Sequence, residues 1–327
     1  MLYTVLGMVM VMAMGTAIAN PAPQAKDWAA TDIAMPVHQV GPHSYYAAGR
    51  LEEASAENQG FIANAGFVIT DDGVVVFDSL GSPSLMDRMI REIRKRTQQP
   101  ITLAIISHYH ADHFYGIPAL KAVGAQVWAD KRAKAYLYSP VAQERLTQRK
   151  QIIGKYLGPS FKLPLPDKWI DGDTPIHFEK GGVKFTVERL GAAHTPEDLE
   201  MLVEPDGVLY SGDVVYEGRV PFIGDADTTK WLATLNRLLK IDCKVLVPGH
   251  GPASYHPQQD VKLTRDYLEF LQTQMMQAVE GFEDFDTAYA AIDWSRYKDI
   301  PTFNAANRRN AYSVYLQMQE KWLKQGK

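Results

Sequence analysis

Seven side chains carry the chemistry legible in this sequence, and four of them fall within six residues. Ser107-His108-Tyr109-His110-Ala111-Asp112-His113 places three imidazoles and one carboxylate within six residues, in a chain with nine histidines among 327 residues. Random placement of that many histidines yields an H-x-H-x-x-H spacing in fewer than about one chain in a hundred, before Asp112 is considered. Imidazole and carboxylate are zinc donors, binding at about 2.0–2.2 Å. Four donors are too many for one tetrahedral ion that must also hold water, so the loop argues for two ions. The competing reading is a metal-free His/Asp network, which is disfavoured because clustered imidazoles repel on protonation near neutral pH.

Three later residues are placed to complete such a site. His194 lies in Gly191-Ala192-Ala193-His194-Thr195-Pro196, Asp213 in Tyr210-Ser211-Gly212-Asp213, and His250 in Val247-Pro248-Gly249-His250-Gly251. Each reads as a residue just past a strand, and each alone is an ordinary loop residue. Together they repeat the placement of the first cluster, which follows the apolar run Ile101 to Ile106. Donors on loops at strand ends are held by a rigid scaffold yet open to substrate.

The elements that must position these donors follow from pattern. Phe67-Val68-Ile69-Thr70, Asp71-Asp72-Gly73 and Val74 to Asp78 read as a hairpin, with Asp-Gly supplying the positive-φ turn. Ser82-Pro83 opens a helix as cap and first residue, and Leu85, Met86, Met89, Ile90 and Ile93 follow at helical spacing. A short helix from Ile117 to Val123 and a strand from Ala125 to Ala129 come next, and residues 131–165 are basic and mixed, with no clear placement. Gly181-Gly182 and Pro205-Asp206-Gly207 join two further hairpins; a helix over Thr229 to Leu239 and a strand over Lys244 to Val247 follow. From about 258 the pattern is helical. Alternating strands and helices with hairpins in both halves indicate a layered sandwich of mixed sheets covered by helices.

Bulk properties are ordinary for a soluble globular protein that buries a sizeable core. Apolar residues make up 46% and charged residues 22%, with a formal net charge of −4 and no long run of one sign. A nucleic-acid partner calls for a basic stripe, and none is present. Leu2 to Ala19 is apolar and uncharged and ends in Ala17-Ile18-Ala19, which reads as an export signal over residues 1–19 and a periplasmic or secreted location. No Lys or Arg precedes it, and the alternative is an uncleaved membrane anchor. Residues 20–43 read as an extended lead-in. Cys243 is the only cysteine, so no internal disulfide forms, and the apolar Val245-Leu246-Val247 shortly after it marks Cys243 as a small buried filler at a strand start.

The segments HYHADH, GAAHT, YSGD and PGHG, in this order and at these separations, resemble the metallo-β-lactamase superfamily over roughly residues 44–255. The resemblance implies an αββα sandwich of two mixed β-sheets flanked by helices, with metals at one edge. The domain expected is residues 44–257, with a C-terminal helical extension over 258–327. It implies that His108, His110 and His194 hold one zinc, that Asp112, His113 and His250 hold the other, and that Asp213 bridges them. Asp78, ending the first hairpin, is implied to brace the metal loop rather than bind metal. The cofactor expected is two Zn²⁺ per chain, with iron or manganese as alternatives. Asp213 stands where the well-known zinc β-lactamases carry a cysteine, so the ligand set is closer to glyoxalase II-like thioesterases and lactonases. The stretches Gly218 to Phe222, Gly224 to Asp227 and Asn304 to Tyr312 resemble a branch of exported zinc metallohydrolases linked to quinoprotein and sulfur-oxidation systems.

The expected reaction is hydrolysis of an ester, thioester, lactone or β-lactam bond in a small molecule by a metal-bound hydroxide, with Asp112 orienting the nucleophile and shuttling its proton. Tyr109 is a candidate oxyanion donor whose plainer role is packing against the loop. Arg219 is a candidate for an anionic substrate group, against the plainer reading of an exposed loop arginine. Asn307, Arg308 and Asn310 are too polar for pure core, while His38, His43, His177 and His256 have no matching context. Two alternatives stand beside hydrolysis: a mononuclear iron enzyme like the persulfide dioxygenases, and a non-catalytic periplasmic accessory protein. Substrate identity and oligomeric state are not legible in the sequence.

Overall fold

A computed structural model describes residues 26–224, 226–324 and 326; the expected export signal lies outside them. Two sheets face each other. The first holds seven strands in spatial order β1 (Val37–Gln39), β2 (Ser44–Ala47), β3 (Ala65–Thr70), β4 (Gly73–Phe77), β5 (Ile101–Ile105), β6 (Gln126–Asp130) and β7 (Lys168–Ile170). Strands β1 to β4 pair antiparallel and β4 to β7 parallel. The second holds β8 (Ile176–Lys180), β9 (Val183–Glu188), β10 (Glu200–Val203), β11 (Val208–Tyr216) and β12 (Val245–His250), in spatial order β12-β11-β10-β9-β8. Only β11 and β12 run parallel there.

Strand β4 shows how the layers arise. Val74 and Val76 point outward into a core shared with α1 (Pro83–Arg94), α2 (Ala111–Phe114), α3 (Ile117–Ala122), α4 (Ala133–Leu137) and α5 (Pro140–Leu157). Val75 and Phe77 point inward onto Phe185, Met201 and Tyr210 of the second sheet. All four side chains are buried, as a strand covered on both faces requires. The outer face of the second sheet is covered by α6 (Thr228–Leu238), α7 (Pro257–Asp260), α8 (Lys262–Glu280), α9 (Phe285–Ala291) and α10 (Phe303–Lys324), with Trp231, Tyr267 and Val314 at the centre of a third core. This is the expected αββα order with helices following the last strand. Among the described residues no helix is long and apolar enough to cross a membrane.

Local signals account for much of this. The Asp71-Asp72-Gly73 turn joins β3 to β4, and Ser82 Oγ accepts from Leu85 N at 3.2 Å at the start of α1. Several expectations need correction. Residues 131–165, unplaced from pattern, form α4 and α5. Strands β1 and β2 were not foreseen, because they are short and owe their existence to pairing with β3. Asp213 and His250 do not lie past strands. β11 continues to Tyr216 through register shifts on either side of Gly212, which has φ 51°, and β12 runs through the PGHG segment.

Candidate metal centre

The cluster assembles at one edge of the sandwich, where β4, β5, β9, β11 and β12 end. Asp78 follows β4 and is 1% exposed. Its Oδ1 accepts from Ser107 N at 2.7 Å, and its Oδ2 accepts from Ser107 Oγ at 2.9 Å and from His113 Nδ1 at 2.8 Å. One carboxylate therefore fixes both ends of the 107–113 loop and leaves His113 Nε2 facing inward. Ser107 Oγ also lies 2.9 Å from His108 Nδ1, so His108 likewise presents Nε2.

Seven donors gather into two adjoining groups. Suitable ligand atoms of His108, His110, His194 and Asp213 all lie within 4.8 Å of one another, as do those of Asp112, His113 and His250. His110 Nδ1 is 3.1 Å from His108 Nε2 and 2.7 Å from His194 Nε2. Asp213 reaches both groups. Its Oδ2 is 3.4 Å from His194 Nε2 and 3.4 Å from His250 Nε2, and its Oδ1 is 3.1 Å from His113 Nε2. His250 Nε2 also stands 3.4 Å from Asp112 Oδ2, while His250 Nδ1 is 2.7 Å from Ile62 O, to which it donates.

The residues fit metal. His113 Nε2 and Asp213 Oδ1 are buried and 3.1 Å apart, yet neither has a hydrogen-bond partner among the described residues. Three imidazole nitrogens converge at His110, and neutral rings that present lone pairs to one another need a cation among them. Electrostatics divides the groups. Burial first, then neighbouring imidazoles, hold His108 and His110 well below the ordinary histidine range; burial brings His194 to about 4. His113 goes the other way: burial opposes its charge, but Asp213 and Asp78 outweigh burial. His250 is raised too, chiefly by Asp213 against burial. Burial pushes the Asp112 and Asp213 carboxyls upward, and the surrounding imidazoles more than reverse this, so both are ionised.

Several supporting residues carry no signal in the sequence. The Tyr216 hydroxyl donates to Asp213 Oδ2, and its ring stacks on His250. Asn64 Nδ2 donates to Pro248 O at 2.8 Å and Gly251 O at 2.7 Å, holding the His250 segment. Asp198 accepts from Thr195 N, Thr195 Oγ and Ala193 N, closing the loop that carries His194. Gly249 is needed for space, since a Cβ there would stand 2.0 Å from Asp213 Oδ1.

The two candidate substrate residues sit in different surroundings. Tyr109 is stacked on Tyr136 with centroids 3.9 Å apart, and Tyr136 rather than Tyr109 lines the cavity over the donors. Arg219 is not an exposed loop residue: it is 4% exposed, with Nη1 3.2 Å from His250 Nδ1 and its guanidinium near the Tyr216 ring. Asn310 neither lines the cavity nor caps a helix. It ties the loop after β11 to α10, donating to Pro221 O and accepting from Ile223 N. Of the remaining histidines, His43 binds Asp206 and His177 binds Thr186.

Comparison with known proteins agrees with this geometry. The family model described as "Metallo-beta-lactamase superfamily" matches residues 58–250. A metallo-beta-lactamase type 2 from Elizabethkingia meningoseptica is 25% identical over 223 residues, covering 65% of this chain and 78% of that protein. Among solved structures, a metallo-beta-lactamase from Pontibacter korlensis superposes with a TM-score of 0.56 at 21% identity, covering 72% of this chain and 99% of that one. A stereoselective inverting sec-alkylsulfatase from Pseudomonas sp. superposes with a TM-score of 0.68 at 18% identity, covering 86% of this chain and half of that one (50%). The family match, the layered fold and the assembled His/Asp cluster establish that the chain belongs to the metallo-β-lactamase superfamily of metal-dependent hydrolases.

Proposed function

We propose that the centre holds two zinc ions and hydrolyses an ester, thioester, lactone or β-lactam bond in a small molecule. The observation that carries this reading is the position of Asp213, one carboxylate within 3.4 Å of donors in both groups. His108, His110 and His194 would hold one ion; Asp112, His113 and His250 the other. Held there, two such cations would lower the pKa of a ligated water toward about 7 and polarise the scissile group.

The chain's own residues supply the rest. Asp112 lines the cavity, with Oδ2 3.4 Å from His250 Nε2, and is ionised, so it can accept a proton there. Asp78 and Tyr216 fix donor orientation from behind, the arrangement that keeps ligated side chains in place. The cavity over the donors has a volume of about 670 Å³, room for a small molecule. The test is turnover by metal-loaded protein of a panel of nitrophenyl esters, thioesters, lactones, β-lactams and an alkyl sulfate, before and after chelation. Chelator-sensitive hydrolysis supports the reading, and undiminished hydrolysis by protein stripped of metal refutes it. Export to the periplasm is part of the proposal and rests on the apolar Leu2 to Ala19 segment; amino-terminal sequencing of the mature protein tests it.

A further inference from the structure

The cavity above the donors has one wall made by α5. That helix presents Arg145 and Arg149 to the cavity, one turn apart, flanked by Val141 and Ile152. Residues four apart share a helix face, with Cβ atoms about 5–6 Å from each other, so the two guanidinium groups can grip one oxyanion. Both arginines are half-buried, whereas Val141 and Ile152 are 47% and 42% exposed. Exposed aliphatic side chains beside cations, at the mouth of a catalytic cavity, suit a ligand with an acidic group and an apolar body.

On the other side of the cavity, Arg219 stands beside His250 and the Tyr216 ring, and Arg309 stands 3.6 Å from Glu53 and over the Phe222 ring. For Arg149, no carboxylate among the described residues lies within ion-pair distance of the guanidinium. Arg145 and Arg149 line the same cavity as His110 and His194 of one donor group and Asp112 and His250 of the other, so the clamp overlooks both halves of the centre.

We propose that Arg145 and Arg149 bind a permanent oxyanion of the substrate, a carboxylate or sulfonate remote from the bond that breaks, while Val141 and Ile152 cover the apolar part next to it. The class of substrate is therefore an amphipathic anion. The turnover part of this proposal rests on the hydrolytic reading; the binding part does not.

The experiment uses two probe pairs on zinc-loaded full-length protein. Mono-4-nitrophenyl adipate and its methyl ester differ only in a free carboxylate; octanoate and octanol supply the same contrast without a scissile bond. Wild type is expected to favour the anionic ester in kcat/KM, mostly through KM, and to bind octanoate at least tenfold more tightly than octanol in calorimetry. R149A is expected to cut both preferences about 10–100-fold, R149K to restore part, and R149E to reverse them. Should R149A fold poorly, R149Q keeps a good helix former and gives the same loss. Preferences in R149A and in R145A/R149A within twofold of wild type overturn the clamp, because anions are then held by the metals alone. If neither ester is cleaved but octanoate binding depends on Arg149, hydrolysis fails and the clamp stands. If octanoate and octanol bind wild type equally, the clamp fails whatever the turnover.

Discussion

The Tyr216 hydroxyl donates to Asp213 Oδ2 at 2.5 Å while its ring lies on His250, with 5.2 Å between centroids and 7° between planes. One side chain thus positions the carboxylate that touches both donor groups and a histidine of the second. Tyr216→Phe keeps the stack and removes the hydrogen bond. It is expected to weaken zinc binding about 10–100-fold with the fold intact. Competition with a chromophoric chelator measures this; unchanged affinity would show that Asp213 is oriented by other contacts.

Asp78 supports the opposite side of the centre. Asp78→Asn removes the negative charge and disturbs the bonds to Ser107 and His113. The second group, which contains His113, is expected to lose affinity about 10–100-fold. Breaking this buried network is expected to cost about 1–3 kcal/mol of stability, seen as a lower denaturant midpoint at unchanged slope. A variant that binds two ions normally contradicts the bracing role.

The two groups are expected to differ in their response to pH. Without metal, His113 and His250 keep protons above the ordinary histidine range, because Asp213 and its neighbours outweigh burial. An ion entering there must displace those protons, so its affinity rises with pH and falls on acidification. His194 titrates near 4, with His108 and His110 also held low, so these rings are already neutral at pH 7. Zinc titration in weak buffer should therefore show one equivalent entering with little proton release and another with more. Equal release at both steps contradicts the assignment.

Gly249 tests the closeness of β11 and β12 at the site. A methyl group there would stand 2.0 Å from Asp213 Oδ1 and 2.7 Å from the Gly212 carbonyl carbon. Gly249→Ala is expected to displace Asp213, lower zinc content below two ions per chain and destabilise the fold by about 1–3 kcal/mol, as overpacking does. Elemental analysis beside a denaturation curve checks both effects; normal content and stability would mean the backbone yields there.

What was legible in the sequence was local. The His108 to His113 spacing, the Asp71-Asp72-Gly73 turn and the Ser82 cap each depend on neighbours in the chain. The layered fold followed because strands alternate with helices and hairpins recur in both halves. Residues whose roles depend on distant partners were silent: Tyr216 on Asp213, Asn64 on Pro248 and Gly251, Asp198 on the 193–195 loop. The bulge at Gly212 let β11 run past Asp213, so that residue sits inside a strand and not at its exit. The wall formed by α5 was not read because its weak amphipathic pattern gives no face to assign; its cavity side is known only once it packs over the donors.

The central claim is that two ions occupy one site. Anomalous diffraction at the zinc edge, on crystals of zinc-loaded protein, locates them directly. Two peaks per chain are expected, one bounded by His108, His110 and His194, the other by Asp112, His113 and His250, with Asp213 between. No peak at these residues, or a single iron site in protein isolated with its native metal, contradicts it.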